Sequence, residues 1–143
     1  MLYCCPPSSI NEPDSASVII AISQPVAFNP RTNYVEALRG LKALGCEIAI
    51  ITLAEAGSLI DDGDQQYAIP AYPTNARDPT GAGDTYMAGF IHAYLHNPCD
   101  LYMAGCYGAA TASIWIEHSG PAVPVTCDEV ERRAATLLAQ PRR

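Results

Sequence analysis

The sequence predicts an α/β protein with a small, mainly parallel sheet flanked by helices. Three observations carry that expectation. Two short, continuous apolar runs, at residues 17–23 and 46–52, have the length and β-branched content of strands buried on both faces. An amphipathic stretch over 31–44 separates them, so strand, helix and strand follow one another as in a parallel βαβ unit with a right-handed crossover. Further along, two helical patterns over 82–96 and 100–117 come after a glycine-rich turn.

Residues 1–16 are rich in Pro, Ser and acidic groups and read as an irregular lead-in. The run 17–23 is the first strand, and Pro25 and Pro30 punctuate the stretch after it. Over 31–44, Tyr34, Val35, Leu38, Leu41 and Leu44 form one helical stripe, with Arg31, Glu36, Arg39 and Lys42 off it. Gly45 supplies the helix stop, and 46–52 is the second strand. Two short strands near 58–61 and 65–69 flank Asp62, Gly63 and Asp64, which suit a hairpin turn. A Pro-containing loop over 70–80 leads to the glycine turn. Asn97 and Pro98 separate the two long helices. The second carries Ala104, Gly105, Gly108, Ala109, Ala110 and Ala112, small residues that permit close packing against a neighbour or a flat ligand. Pro121 and Pro124 break the chain. Thr126 and Glu129 form a capping box for a last helix through about Gln140. No internal repeat or second domain is evident.

With 143 residues, the chain is long enough for one domain with a real core. Hydrophobic residues at 49% and charged residues at 16% fit a globular protein rather than a disordered one. A net charge of −7, without a basic patch, argues against nucleic acid as a partner. Arg132, Arg133, Arg142 and Arg143 cluster, and read as a solvated helix face and tail. No apolar run has the length of a membrane span, and the first residues lack the pattern of a signal peptide, so a cytoplasmic setting is expected. The six cysteines (Cys4, Cys5, Cys46, Cys99, Cys106, Cys127) show no Cys-x-x-Cys spacing and read as reduced thiols, several packed as small apolar groups.

Asp78-Pro79-Thr80-Gly81-Ala82-Gly83-Asp84 is the segment richest in chemistry. A glycine-rich turn that opens a helix presents unpaired backbone N–H groups and the positive end of the helix dipole. Such a place accepts a phosphate or another anion. The carboxylate beside it, Asp84, is a candidate general base, and phosphate cradle plus base points to phosphoryl transfer. The plainer alternative is an ordinary helix start with an acidic first-turn residue.

The order of elements resembles the C-terminal half of a ribokinase-like sugar kinase, the phosphofructokinase-B type. That family carries Asp-Thr-x-Gly-Ala-Gly-Asp, which Asp78, Thr80, Gly81, Ala82, Gly83 and Asp84 match, with Pro79 in the usual Thr position. The resemblance covers residues 17–140 and implies a partial three-layer α/β/α fold. It divides the chain into the lead-in, 1–16, and a nucleotide-binding and catalytic half, 17–143. It implies that Asp84 is the catalytic base, taking a proton from a substrate hydroxyl as the hydroxyl attacks the γ-phosphate of ATP. The N–H groups of Gly81, Ala82, Gly83 and Asp84 would form the anion hole. Thr52 and Gly57 match the family's nucleotide loop, Thr-x-Gly-x-x-Gly, with Ala54 at its first glycine. Gly108, Ala109 and Ala112 correspond to the segment bordering the adenine. Asp78, Thr80, Ser119 and Gly120 fall where some members bind a monovalent cation such as K+.

The family's Asn-x-x-Glu element, which helps to place Mg2+, has no glutamate here: Ser23-Gln24-Pro25-Val26 stands in its place. Family members are also longer, and their N-terminal half carries the sugar-binding residues. The expected partners are therefore ATP with Mg2+, a small sugar or polyol, and a second copy of the chain or a separate N-terminal half at an open sheet edge. Neither nucleic acid nor a membrane is expected. The alternative is a non-catalytic fragment of the same fold. A vitamin-precursor kinase would tend to have Cys where Asp84 stands. A dinucleotide-binding module would place its glycines directly after the first strand. His92 and His96 sit off the stripe formed by Met87, Ile91, Tyr94 and Leu95, and read as solvated. Trp115, between Ile114 and Ile116, reads as core.

Overall fold

The computed structural model describes residues 19–23, 34–119 and 124–141, with side chains for all but 19–23. Strand β1 (Ile19–Ser23), helix α1 (Tyr34–Ala43) and strand β2 (Ile48–Thr52) come first. β1 and β2 pair in parallel, Ile19 opposite Ile48 through Ser23 opposite Thr52, as a βαβ unit requires. α1 ends where Gly45 takes φ 93 and its N–H closes on the Lys42 carbonyl at 2.9 Å. The stripe of α1 is truncated by that stop. Leu38 is fully buried, whereas Leu44, beyond the last helical turn, is 78% exposed.

β3 (Ser58–Asp61) and β4 (Gln66–Ile69) complete a four-stranded sheet of order β1-β2-β3-β4. Here the expectation of a mainly parallel sheet needs correction at β2–β3, which is antiparallel; β3–β4 is antiparallel as the expected hairpin requires. Residues 53–57 join β2 to β3, and a connection that short cannot make the crossover a parallel partner needs. The β3–β4 turn is closed by its own carboxylates. Asp61 Oδ1 accepts from Gly63 N–H at 2.7 Å, and Asp62 Oδ1 from Gln65 N–H at 2.6 Å.

Alternation along β2 divides the core between two faces. Ala49 and Ile51 join Leu38 under α1, whereas Ile48 and Ile50 join Ile60 and Ile69 beneath α2 (Ala82–His96) and α3 (Leu101–Ile116). Helices thus cover both faces, and the three-layer α/β/α arrangement is present. α2 and α3 lie together, as the sequence predicts. α3 is the central helix, buried along most of its length because its residues are small. A Cβ on Gly105 would lie 2.6 Å from Ile69 Cγ1, so the helix rides directly on β4. Asp100 caps α3, its Oδ1 accepting from Met103 N–H at 2.9 Å. Thr126 caps α4 (Cys127–Leu138), accepting from Glu129 N–H at 3.4 Å. Phe90 and Leu137 are fully buried, and each contributes roughly 2–3 kcal/mol of apolar burial.

α2 departs from the expected stripe. Tyr86, Gly89, Phe90 and Ala93 turn inward, while Ile91 and Leu95 are 41% and 75% exposed. Gly89 sets the rotation, since a Cβ there would sit 2.3 Å from Thr111 Oγ1 on α3. β1 pairs only with β2 among the described residues, so its far edge is open there. The lead-in 1–16 lies outside the described residues, as do Gln24–Val26 of the Mg2+-associated element, Gly120, Arg142 and Arg143.

Candidate active site

The loop before α2 is folded by short-range bonds. Asp78 Oδ1 accepts from Thr80 N–H at 3.0 Å, and Ala82 N–H donates to the Pro79 carbonyl at 3.1 Å. Hydrogen bonds from Thr80, side chain and then backbone, hold the Asp78 carboxyl below the usual aspartate value. Gly81 is the N-cap of α2 at φ 80, a left-handed conformation suited to glycine. Having no side chain, it fills none of the helix's first donors. Thr85 closes the turn instead, with its N–H and Oγ1 both donating to the Gly81 carbonyl, at 3.0 and 2.8 Å.

Three N–H groups at this helix start, those of Gly81, Gly83 and Asp84, have no acceptor among the described residues. Ala82 N–H, expected as a fourth, is engaged by Pro79. Asp84 stands exposed in the first turn of α2, beside these donors. The arrangement can bind an anion and offers it a carboxylate neighbour.

Thr52 ends β2 at the carboxyl edge of the sheet, half-buried, and the loop after it is tight: Leu53 N–H meets the Gly57 carbonyl at 2.7 Å. Gly57 has φ 92, and a Cβ there would lie 2.0 Å from the Ile69 carbonyl oxygen, so the end of β4 requires glycine at that position. Ala54, at the place of the family's first glycine, has φ 50, the left-handed conformation glycine would take without strain.

Tyr86, which sequence reasoning missed, joins these parts. Its hydroxyl meets Ser58 Oγ at 2.7 Å, tying the residue after Gly57 to the second turn of α2. Burial pushes the Tyr86 phenol up, so it stays neutral. Gly108 packs against the same residue, its missing Cβ 2.9 Å from the Tyr86 carbonyl oxygen. Gly108 and Ala109 are buried, and Ala112 is half-buried against the core. All three take part in helix packing.

Trp115 corrects its expected place in the core. It is half-buried, and its indole N–H donates to the Thr80 carbonyl at 2.7 Å. The Thr80 carbonyl, one of the oxygens expected to hold a monovalent cation, accepts this bond with one of its two lone pairs. Ser119 is exposed near the end of α3. No local spacing could have flagged Trp115, since the two partners are far apart in sequence.

Arg133 is likewise not a solvated residue. It is 8% exposed, donates to Glu117 and Ser113 on or just past α3 and to Glu129 on α4, and lies 4.9 Å from the Tyr72 ring centre. Thr74 donates to the same Glu117. His92 and His96 are exposed, and no group of three or more ligating side chains occurs among the described residues. No described helix is long and apolar enough to cross a membrane. Cys46 and Cys106 are buried, and Cys99 and Cys127 exposed.

Sheet, helices and turn together define a ribokinase-like α/β fold with a glycine-capped helix start whose first N–H groups have no acceptor among the described residues. The chain belongs to the pfkB family of carbohydrate kinases, whose profile matches residues 20–127. It is 39% identical over 106 residues to a nucleoside kinase of Methanothermobacter thermautotrophicus, a match spanning 73% of this chain and 34% of that one. The crystal structure of the Methanocaldococcus jannaschii nucleoside kinase, a ribokinase-family member, superposes with a TM-score of 0.63 at 31% identity, over 82% of this chain and 40% of that one. A Burkholderia thailandensis nucleoside kinase, solved in complex with inosine, superposes with a TM-score of 0.66 at 25% identity, over 87% and 41%. The chain thus spans well under half the length of these proteins.

Proposed function

We propose that this chain carries the phosphate-binding turn and the catalytic base of an ATP-dependent kinase acting on a sugar, polyol or nucleoside hydroxyl. The observation that carries the reading is the exposed Asp84 beside three N–H groups without acceptors at the start of α2. In this reading the acceptor oxygen attacks the γ-phosphorus, its proton passes to the Asp84 carboxylate, and the bond to ADP breaks. The N–H groups of Gly81, Gly83 and Asp84 hold the charge on the transferring phosphoryl group. Thr52 and its loop border the nucleotide. Mg2+ would accompany ATP, and the described residues give no basis for assigning it a protein ligand. The named relatives favour a nucleoside as acceptor, and a cytoplasmic setting is part of the same proposal.

Calorimetric titration with ATP–Mg2+ and an ADP-release assay over sugars and nucleosides, comparing wild type with Asp84→Asn, tests this. Both proteins should bind ATP, and the variant should transfer at least about a hundredfold more slowly, the lower range for a general base. Equal transfer rates would refute Asp84 as the base. The share of the relatives' length that this chain spans favours a second reading, nucleotide binding with transfer only alongside a partner half. In that case ATP binds and no acceptor is phosphorylated by the chain alone.

A further inference from the structure

The candidate phosphate turn is held from outside, by the end of α3. Arg77 N–H and Asp78 N–H both donate to the Ile116 carbonyl, at 2.7 and 3.1 Å. One residue earlier on α3, Trp115 Nε1–H donates to the Thr80 carbonyl at 2.7 Å. The Trp115 ring also closes the space under Gly81, where an added Cβ would be 3.2 Å from Nε1.

The Thr80 carbonyl and the Gly81 N–H belong to one peptide group. That group is planar and trans, so its C=O and N–H point in opposite directions. Fixing the carbonyl toward α3 therefore fixes the Gly81 N–H away from α3. Gly81 matters here because glycine adopts positive and negative φ about equally, leaving the preceding peptide free to rotate. The indole bond removes that freedom. A carbonyl that accepts a hydrogen bond also polarises its own amide, making the N–H a better donor.

We propose that Trp115 is a positioning residue for the phosphate turn: its indole N–H sets the Thr80–Gly81 peptide so that the Gly81 N–H is presented as an anion donor before any phosphate arrives. The proposal rests on reading residues 81–84 as a phosphate site. It assigns this task to a residue outside the Gly-Ala-Gly-Asp segment, on a different helix.

Trp115→Phe keeps an aromatic ring and removes the donor. In the full chain, amide hydrogen exchange at Ala82 and Thr85, the N–H groups that close the turn, should speed up several-fold while α3 amides stay unchanged. By equilibrium dialysis, ATP–Mg2+ affinity should fall roughly tenfold, the loss of about one hydrogen bond, while adenosine affinity stays the same. A merely structural role would weaken both ligands together. Unchanged exchange at Ala82 and Thr85 overturns the proposal, and so does equal loss of ATP and adenosine affinity. Should wild type bind no ATP, the phosphate-site reading fails, and the exchange rates alone decide whether Trp115 sets the turn. Should Trp115→Phe not fold, wild-type emission answers, because Trp115 is the single tryptophan. Inorganic triphosphate should change it, and an unchanged spectrum at saturation overturns the proposal.

Discussion

Gly57 and Gly45 have nearly the same backbone angle, φ 92 and φ 93, in different surroundings. An alanine at Gly45 would meet nothing within 4 Å. At Gly57 its Cβ would lie 2.0 Å from the Ile69 carbonyl oxygen and 3.0 Å from Ala71 N. Gly45→Ala incurs the positive-φ penalty of about 1–2 kcal/mol, partly offset by a stiffer unfolded chain; Gly57, at φ 92 and ψ −134, lies in a region that alanine enters at no lower cost. Gly45→Ala should therefore cost about 1 kcal/mol. Gly57→Ala must also displace the end of β4, where Ile69 pairs with Ser58. Backbone shifts of that kind add about 1–3 kcal/mol, for a total near 3 kcal/mol. At this chain length that corresponds to a Tm roughly 10 °C lower. Urea unfolding of both variants, at matched m-values, measures the difference. A Gly57→Ala loss no larger than that of Gly45→Ala would refute the claim that β4, rather than φ alone, demands glycine there.

Ala54→Gly should relieve the left-handed strain at φ 50 and raise stability by about 0.5 kcal/mol, read as a higher urea midpoint; a lower midpoint counts against strain. Tyr86→Phe leaves the buried Ser58 hydroxyl without its partner and should cost about 1–3 kcal/mol in the same assay, and a neutral result would mean Ser58 is satisfied otherwise. Arg133 holds the Glu117 carboxyl below its usual value, and Arg132 followed by Arg133 brings Glu129 down to about 2. Carboxylates lowered on folding stabilise above their unfolded value of 4.5 and lose that contribution as pH falls toward the folded one. Thermal stability should thus decline between about pH 5 and pH 2, and less steeply in Glu117→Gln, so equal slopes would remove Glu117 from the account.

Local signals carried well from sequence to structure. The Thr126 cap, the Gly45 stop and the Asp-Gly hairpin each act within four residues, and each is found in place. The Gly-Ala-Gly-Asp turn belongs with them, because a glycine N-cap and an exposed first-turn carboxylate are properties of one segment. What escaped depends on contacts distant in sequence. Trp115 finds Thr80, Tyr86 finds Ser58, and Arg133 finds Glu117, and periodicity cannot encode any of these. The stripe of α2 differs from its periodicity for a related reason. Hydrophobicity favours Ile91 and Leu95, but the close approach of Gly89 to α3 rotates them outward. Strand direction after β2 was a matter of connection length, readable in principle from the five residues that separate β2 from β3.

The Arg133 cluster has a bearing on the order in which the molecule is completed. Glu117 stands just past the end of α3, the helix that grips the glycine turn, and Thr74 and Tyr72 belong to the loop that feeds it. Glu117 and Tyr72 both meet a guanidinium that arrives only with α4, and Thr74 joins them through Glu117. During synthesis, the glycine turn would emerge well before the cation that braces its surroundings. The surroundings of the turn should therefore be completed late, when α4 docks, and a chain halted before Arg133 would expose a loop whose carboxylate keeps only the Thr74 hydroxyl.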